Sequence, residues 1–161
     1  MSKSSGILRI CEEKGIKMID FKMTDLSGRW RHITIPVERF DDGIFTQGIG
    51  FDGSNYGYAP VEKSDMVFIP NPETAVVDPF TEIPTLTMCG DVCLIGKENR
   101  PFDQYPRNVS LRAIEYMKEQ GIADQMLIGP EFEFHLFDNV SFMVEPQRMA
   151  FTVDTRQAAW N

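Results

Sequence analysis

The chain has 161 residues, room for one ordinary domain or for a small domain with part of a second. Its 42% hydrophobic and 25% charged residues are those of a soluble globular protein and exclude a disordered chain. The formal net charge is −8 and no Lys/Arg cluster interrupts it, which argues against a nucleic-acid partner that needs its phosphates neutralised.

The N-terminus lacks the apolar core of a signal peptide, and no apolar run reaches membrane-spanning length, so a cytoplasmic protein without membrane attachment is expected. A first helix is predicted from Ser5 to Lys14, with Ile7, Ile10 and Cys11 at helical spacing and Gly15 as the stop. Strands follow at Lys17 to Thr24 and Trp30 to Ile35, joined by a turn at Leu26-Ser27-Gly28. A short helix is expected at Val37 to Asp41, then a glycine-rich loop from Gly43 to Gly57, of a length that in a compact domain is usually functional or disordered. Further strands are predicted at Met66 to Ile69 and Leu86 to Ile95, with Pro70, Pro72, Pro79 and Pro84 confined to turns and edges. Strands beside a single helix make an α+β domain ending near residue 102. Beyond it come a helix from Asn108 to Gln120, with Leu111, Ile114 and Met117 as the stripe to bury, and a strand from Gln125 to Phe137. Weaker extended segments, Ser141 to Val144 and Met149 to Val153, precede a helix beginning at Thr155. A chain ending as an element begins is expected to be cut rather than finished. Cys11, Cys89 and Cys93 are odd in number and form no C-x-x-C pair, the pattern of free thiols in a reducing compartment.

Two segments carry chemistry. In Gly129-Pro130-Glu131-Phe132-Glu133-Phe134-His135, strand alternation puts Glu131, Glu133 and His135 on one face, with successive Cα atoms on that face roughly 6.5–7 Å apart. Two carboxylates so placed repel unless a cation separates them, and Mg²⁺ or Mn²⁺ suits hard oxygen donors; a solvated strand face is the alternative. In Gly50-Phe51-Asp52-Gly53-Ser54-Asn55-Tyr56-Gly57 the formal G-x-G-x-x-G match fails as a dinucleotide fingerprint, because no helix can follow it. What remains is a loop displaying Asp52 beside Ser54 and Asn55, either a plain turn or a substrate loop. His32 has no evident partner.

Taken together and in order, Phe51-Asp52-Gly53-Ser54, Ser64-Asp65-Met66, Tyr105-Pro106-Arg107, Gly129 to Phe134, and Val153-Asp154-Thr155 through Trp160-Asn161 resemble type I glutamine synthetase. The resemblance implies a β-grasp N-terminal domain over residues 1–102, and the incomplete beginning of the catalytic domain over 103–161. It implies ligation of ammonia to the side-chain carboxylate of glutamate with ATP, through a γ-glutamyl phosphate. By position in the motifs, Glu133 would ligate the metal that holds glutamate and Glu131 the metal that bridges to ATP. Asp52 would bind ammonium and take its proton, with Ser54 and Asn55 beside it, and Asp65 would support the loop. ATP, Mg²⁺ or Mn²⁺, and a homo-oligomer of stacked rings come with the family. Asn55 stands where a second serine is usual, and His135 where an aromatic is common. The remaining ligands of both metals would lie beyond residue 161, so the chain alone is expected to be inactive. A γ-glutamyl-amine ligase, or a non-catalytic relative acting as a binding or assembly module, are the competing readings.

Overall fold

A computed structural model describes residues 3–159, which divide into two compact units at Asp124/Gln125. Trp160 and Asn161, the end of the resemblance quoted above, lie outside the described residues.

In the first unit, helix α1 (Lys3–Lys14) turns Ile7 and Cys11 into the core and ends at Gly15, whose φ of +64° relieves the helix terminus at no steric cost. Strands β1 (Met18–Thr24) and β2 (Trp30–Pro36) form a hairpin in register from Met18↔Pro36 to Thr24↔Trp30. Next come β3 (Ile49–Asp52), β4 (Asp65–Pro70), the two-residue β5 (Val76–Val77), β6 (Thr85–Leu94) and β7 (Arg100–Pro101). The spatial order is β2-β1-β6-β4-β3, with β5 and β7 also pairing to β6. The first half of β6 lies parallel to β1, from Met18↔Thr85 to Lys22↔Cys89, and its second half antiparallel to β4, from Met66↔Leu94 to Pro70↔Gly90. Period-two alternation sends Ile19, Phe21 and Met23 of β1 inward to meet Phe68 of β4 and Leu86, Met88 and Val92 of β6. Apolar surface removed from water in this way is the main favourable contribution to the unit's stability. On the outer face His32 has a partner after all: its Nδ1 lies 2.7 Å from Asp20 Oδ1, which also accepts from the Thr34 hydroxyl at 2.6 Å.

Two elements differ from expectation between residues 37 and 57. The short helix is a 3-10 turn over Val37–Arg39, and the glycine-rich stretch holds strand β3. Gly48 sets the entry to β3. At its φ of +75° a Cβ would meet the Phe68 carbonyl oxygen at 2.8 Å and Val67 Cβ at 3.1 Å. Gly48→Ala is expected to cost about 1–3 kcal/mol from overpacking and backbone strain, read as a lower denaturant midpoint. An unchanged midpoint would show that β3 can shift away from β4 freely.

Helix α2 (Pro106–Glu119) starts with proline at its first position, where a missing N–H is harmless. Tyr105 is buried just before it, and Asn108 donates from Nδ2 to the Phe102 carbonyl at 2.9 Å. The expected buried stripe is only partly covered: Leu111 and Ile114 are exposed and Met117 is half-buried. Its first two turns are anchored, the second by Arg112, which donates to the Asp103 carbonyl at 2.6 Å.

The second unit is a hairpin of β8 (Asn139–Glu145) and β9 (Arg148–Asp154), in register from Asn139↔Asp154 to Glu145↔Arg148. The strand expected over Gln125 to Phe137 is absent as a hydrogen-bonded element: residues 125–137 have no regular secondary structure, and Phe132 is 85% exposed. A strand exists through its ladder, and among the described residues none pairs with this segment. The helix expected from Thr155 is a turn as far as residue 159, with the Ala158 N–H donating to the Thr155 carbonyl at 3.0 Å.

Candidate functional site

Asp52 ends β3. Alternation along the strand directs Ile49 and Phe51 inward and leaves Asp52 exposed. Its carboxylate caps the following 3-10 turn (Gly53–Tyr56): Oδ1 accepts from the Ser54 amide at 2.9 Å and from the Ser54 hydroxyl at 2.6 Å. The Ser54 hydroxyl foremost, then Ser64 and the Ser54 amide, hold the Asp52 carboxyl below the usual carboxylate range. The Ser64 hydroxyl also donates to the Val61 carbonyl at 3.0 Å, so its single proton is not reserved for Asp52. An exposed carboxylate that stays ionised and is aimed by a fixed turn is suited to receive a small cation.

The turn itself is pinned from beneath. The Gly53 amide donates to the Ser64 carbonyl at 2.7 Å, and a Cβ on Gly53 would come 2.6 Å from the Met66 sulfur. Gly57 takes φ +75°, and the Tyr58 amide donates back to the Gly53 carbonyl at 3.0 Å. Asp65 lies directly across the ladder from Asp52 as its Cα partner and is exposed; the hydrogen bonds that fix the turn come from its neighbour Ser64. Asn55 is exposed and borders a shallow concavity of about 370 Å³ with Trp30, Arg31, His32 and Tyr56.

The same Asp-x-Ser device recurs at the tip of the β1–β2 hairpin. Asp25 Oδ1 accepts from the Ser27 amide (2.9 Å), the Ser27 hydroxyl (2.6 Å) and the Arg29 amide (2.9 Å), while Oδ2 takes Arg31 Nε at 2.8 Å. Ser27 first, with Arg29 and Arg31, lowers the Asp25 carboxyl far below the ordinary range. Asp25 differs from Asp52 in being buried, and the contrast marks Asp25 as structural and leaves Asp52 available to a ligand.

Sequence reasoning brought Asp52, Ser54, Asn55 and Asp65 to one place, and the fold groups them on β3, its turn and the start of β4. Ser64 entered only as part of the Ser64-Asp65-Met66 motif, without a role, and Tyr58 not at all; the signal for the latter was its place beside Tyr56 in a stretch that also holds Phe51.

In the second unit, Glu131 and Glu133 are both exposed on the extended segment before β8, and the His135 ring stacks on Phe137 with centroids 6.2 Å apart. No ladder holds this segment among the described residues, and the stacked pair His135 and Phe137 are two residues expected on the same face as Glu131 and Glu133. Carboxylate oxygens fit Mg²⁺ or Mn²⁺ in donor type. They do not fit in number, since no group of three or more His, Cys, Asp or Glu side chains placed to hold a metal ion occurs among the described residues. No helix among them is long and apolar enough to cross a membrane.

Residues 15–95 match the family model of the glutamine synthetase β-grasp domain, and residues 103–160 that of the glutamine synthetase catalytic domain. The chain is similar to a glutamine synthetase of Pasteurella multocida, 41% identical over 160 residues, which span 98% of this chain and 33% of the relative. It is also similar to a 3-hydroxylaminophenol mutase of Cupriavidus pinatubonensis, 36% identical over 158 residues, spanning 98% of this chain and 33% of that protein. Both chains extend well beyond the shared part, so this chain spans about a third of the length of the curated relatives it matches. In fold it superposes on the Plasmodium falciparum glutamine synthetase structure with a TM-score of 0.72 at 21% identity, covering 97% of this chain and 30% of that one.

Proposed function

Because the chain belongs to the glutamine synthetase family, carrying its β-grasp domain followed by the start of its catalytic domain, we propose that it supplies the ammonium-binding part of a cytoplasmic glutamate–ammonia ligase. We divide the chain at residues 102 and 103. The observation that carries the reading is the Asp52 turn: an exposed carboxylate held ionised by Ser54 at the end of a strand. There Asp52 binds ammonium, with Ser54 and Asn55 as hydrogen-bonding neighbours, and accepts one of its protons. The freed ammonia attacks the γ-carbonyl of γ-glutamyl phosphate, made from glutamate and ATP, and phosphate leaves. Asp65 steadies the strand pair from which Asp52 projects.

Glu131 and Glu133 are the residues here that would hold Mg²⁺ or Mn²⁺. When bound, such ions supply Lewis-acid polarisation and offset the negative charge of the two anions that must meet. Two carboxylates do not complete two ion sites. The 161-residue chain given ATP, glutamate, Mn²⁺ and ammonium is therefore expected to form no glutamine, and formation above the enzyme-free rate would overturn that expectation.

The reading itself is tested in a chimera in which residues 1–161 replace the matching third of the Pasteurella multocida glutamine synthetase. Glutamine formation by ring-shaped homo-oligomers of the chimera supports it. An assembled chimera that cannot use ammonium counts against it. A second reading has one observation in its favour: Asn55 borders the concavity with Trp30 and Tyr56, space that ammonium alone does not need. In that case methylamine, ethanolamine or putrescine would outcompete ammonium in the same chimera, as in a γ-glutamyl-amine ligase.

A further inference from the structure

The hydroxyl of Tyr58 donates to the Thr24 carbonyl at 2.6 Å, a bond that joins the Asp52 turn to the last residue of β1, just before the Asp25 tip. Tyr58 is buried, and burial pushes its phenol well above the ordinary tyrosine range, so the hydroxyl remains a donor at any pH the protein meets. Its ring stacks on Tyr56 with centroids 5.8 Å apart and an interplanar angle of 14°, and meets Phe51 edge-on at 6.3 Å. Those two aromatics flank the turn: Phe51 immediately precedes Asp52, and Tyr56 closes the 3-10 segment. Its backbone N–H closes the turn on the Gly53 carbonyl. Three contacts of one residue therefore converge on the segment that aims Asp52. Tyr105 is the natural comparison, because it too is buried in this cluster, edge-on to Tyr58 at 6.1 Å, and its hydroxyl also hydrogen-bonds the Thr24 backbone, but no ring contact joins it to Tyr56 or Phe51 and it lies outside the Asp52 turn.

We propose that Tyr58 is a positioning residue for Asp52, its hydroxyl anchoring the turn to the β1–β2 hairpin so that Ser54 keeps both hydrogen bonds on the carboxylate. The functional meaning of this inference rests on the reading of Asp52 as the ammonium site; its geometric content does not. Losing the hydroxyl frees the Tyr56–Tyr58 pair to slide, and the two Ser54 bonds on Asp52, at 2.6 and 2.9 Å, lengthen as the turn shifts.

The test is the pH titration of the Asp52 carboxyl carbon by NMR in the 161-residue protein, without ammonium, its resonance assigned by Asp52→Asn. Tyr58→Phe keeps the ring packing and is expected to melt cooperatively while the Asp52 midpoint rises by roughly half a unit or more toward the ordinary carboxylate value. Tyr105→Phe is expected to leave the midpoint in place. An unmoved midpoint in Tyr58→Phe, with Ser54→Ala shifting it, overturns the proposal, and so does an equal shift in both tyrosine variants. Should Tyr58→Phe not fold, amide exchange in the wild-type protein decides. Ser54 and Tyr58 amides protected to the same degree support a single clamped unit, and a Ser54 amide exchanging more than about tenfold faster overturns it. Failure of the ammonium reading shows elsewhere, as a chimera whose activity ignores Asp52→Asn, so the two cannot be confused.

Discussion

Phe68→Ala should remove about 3–5 kcal/mol from the stability of the first unit. Phe68 is 0% exposed at the middle of β4. Its ring lies 5.9 Å from that of Phe21 on β1, so one side chain fills the space between the two strands that flank β6. Gly90 of β6 makes room for it, since a Cβ there would come 2.8 Å from Phe68 Cζ. Backbone packed this tightly around a ring cannot collapse into the space left by alanine, which places the cost toward the upper part of that range. Against a total of about 5–15 kcal/mol for an ordinary domain, the loss is about a fifth or more. Urea denaturation followed by circular dichroism reads it as a fall in midpoint without a change in slope. Phe80→Ala is the control, because Phe80 is 94% exposed and its truncation should matter by less than about 0.5 kcal/mol. Equal losses from the two would mean that Phe68 does not hold the sheet as described.

Asp52→Asn in the chimera should lower kcat/KM for ammonium by about 10²–10⁴-fold. The replacement is nearly isosteric, and its amide oxygen can still accept from the Ser54 amide and hydroxyl, so the turn should survive. What is lost is the negative charge that attracts ammonium and the base that takes its proton. The pH dependence follows from the same bonds. Because the Asp52 carboxyl is held below the ordinary range, the carboxylate persists as pH falls through the value at which a free aspartate protonates. The acid limb of the wild-type kcat/KM profile should accordingly lie below the usual aspartate value, and Ser54→Ala should move it upward. A loss smaller than about threefold on Asp52→Asn would remove Asp52 from the chemistry.

Part of the first unit was legible from period two: β1 alternates along its length, and β2 alternates half-buried and exposed residues. Strand β6 was expected too, although it is buried on both faces along most of its length and shows no such alternation. The Asp52 turn was legible for a different reason, namely that an Asp with Ser two residues on is a local hydrogen-bonding unit that needs no partner elsewhere in the chain. Strand β3 was not. It is four residues long, one of them Gly50, and only its pairing with β4 makes it a strand. Residues 125–137 show the opposite failure. Phe132, Phe134 and Leu136 alternate as a strand should, but a ladder is a property of two segments, and only one is described. The stripe on α2 misled in the same manner, since periodicity reports which side of a helix wants cover and not whether cover is present. The roles of Tyr58 and of Ser64, the latter present only as a motif residue, were not legible because they are contacts across the fold, made to Thr24 and Gly53.

Strand β6 pairs with β1, β4, β5 and β7 alike, and it begins only at Thr85. During synthesis the β1–β2 and β3–β4 hairpins can each form from local sequence, but they have no common neighbour until the chain from Asn71 to Leu94 has also emerged from the ribosome. Until then Phe21 and Phe68 face water on separate hairpins, and each hairpin offers a bare edge to any other nascent chain. Closing β1 onto β6 also joins residues more than sixty positions apart, which makes the parallel pairing the slow, entropy-limited event in assembly. The late strand is thus the interval in which this chain most needs a chaperone, and a ribosome pausing after β4 has emerged but while β6 is still in the exit tunnel would prolong it.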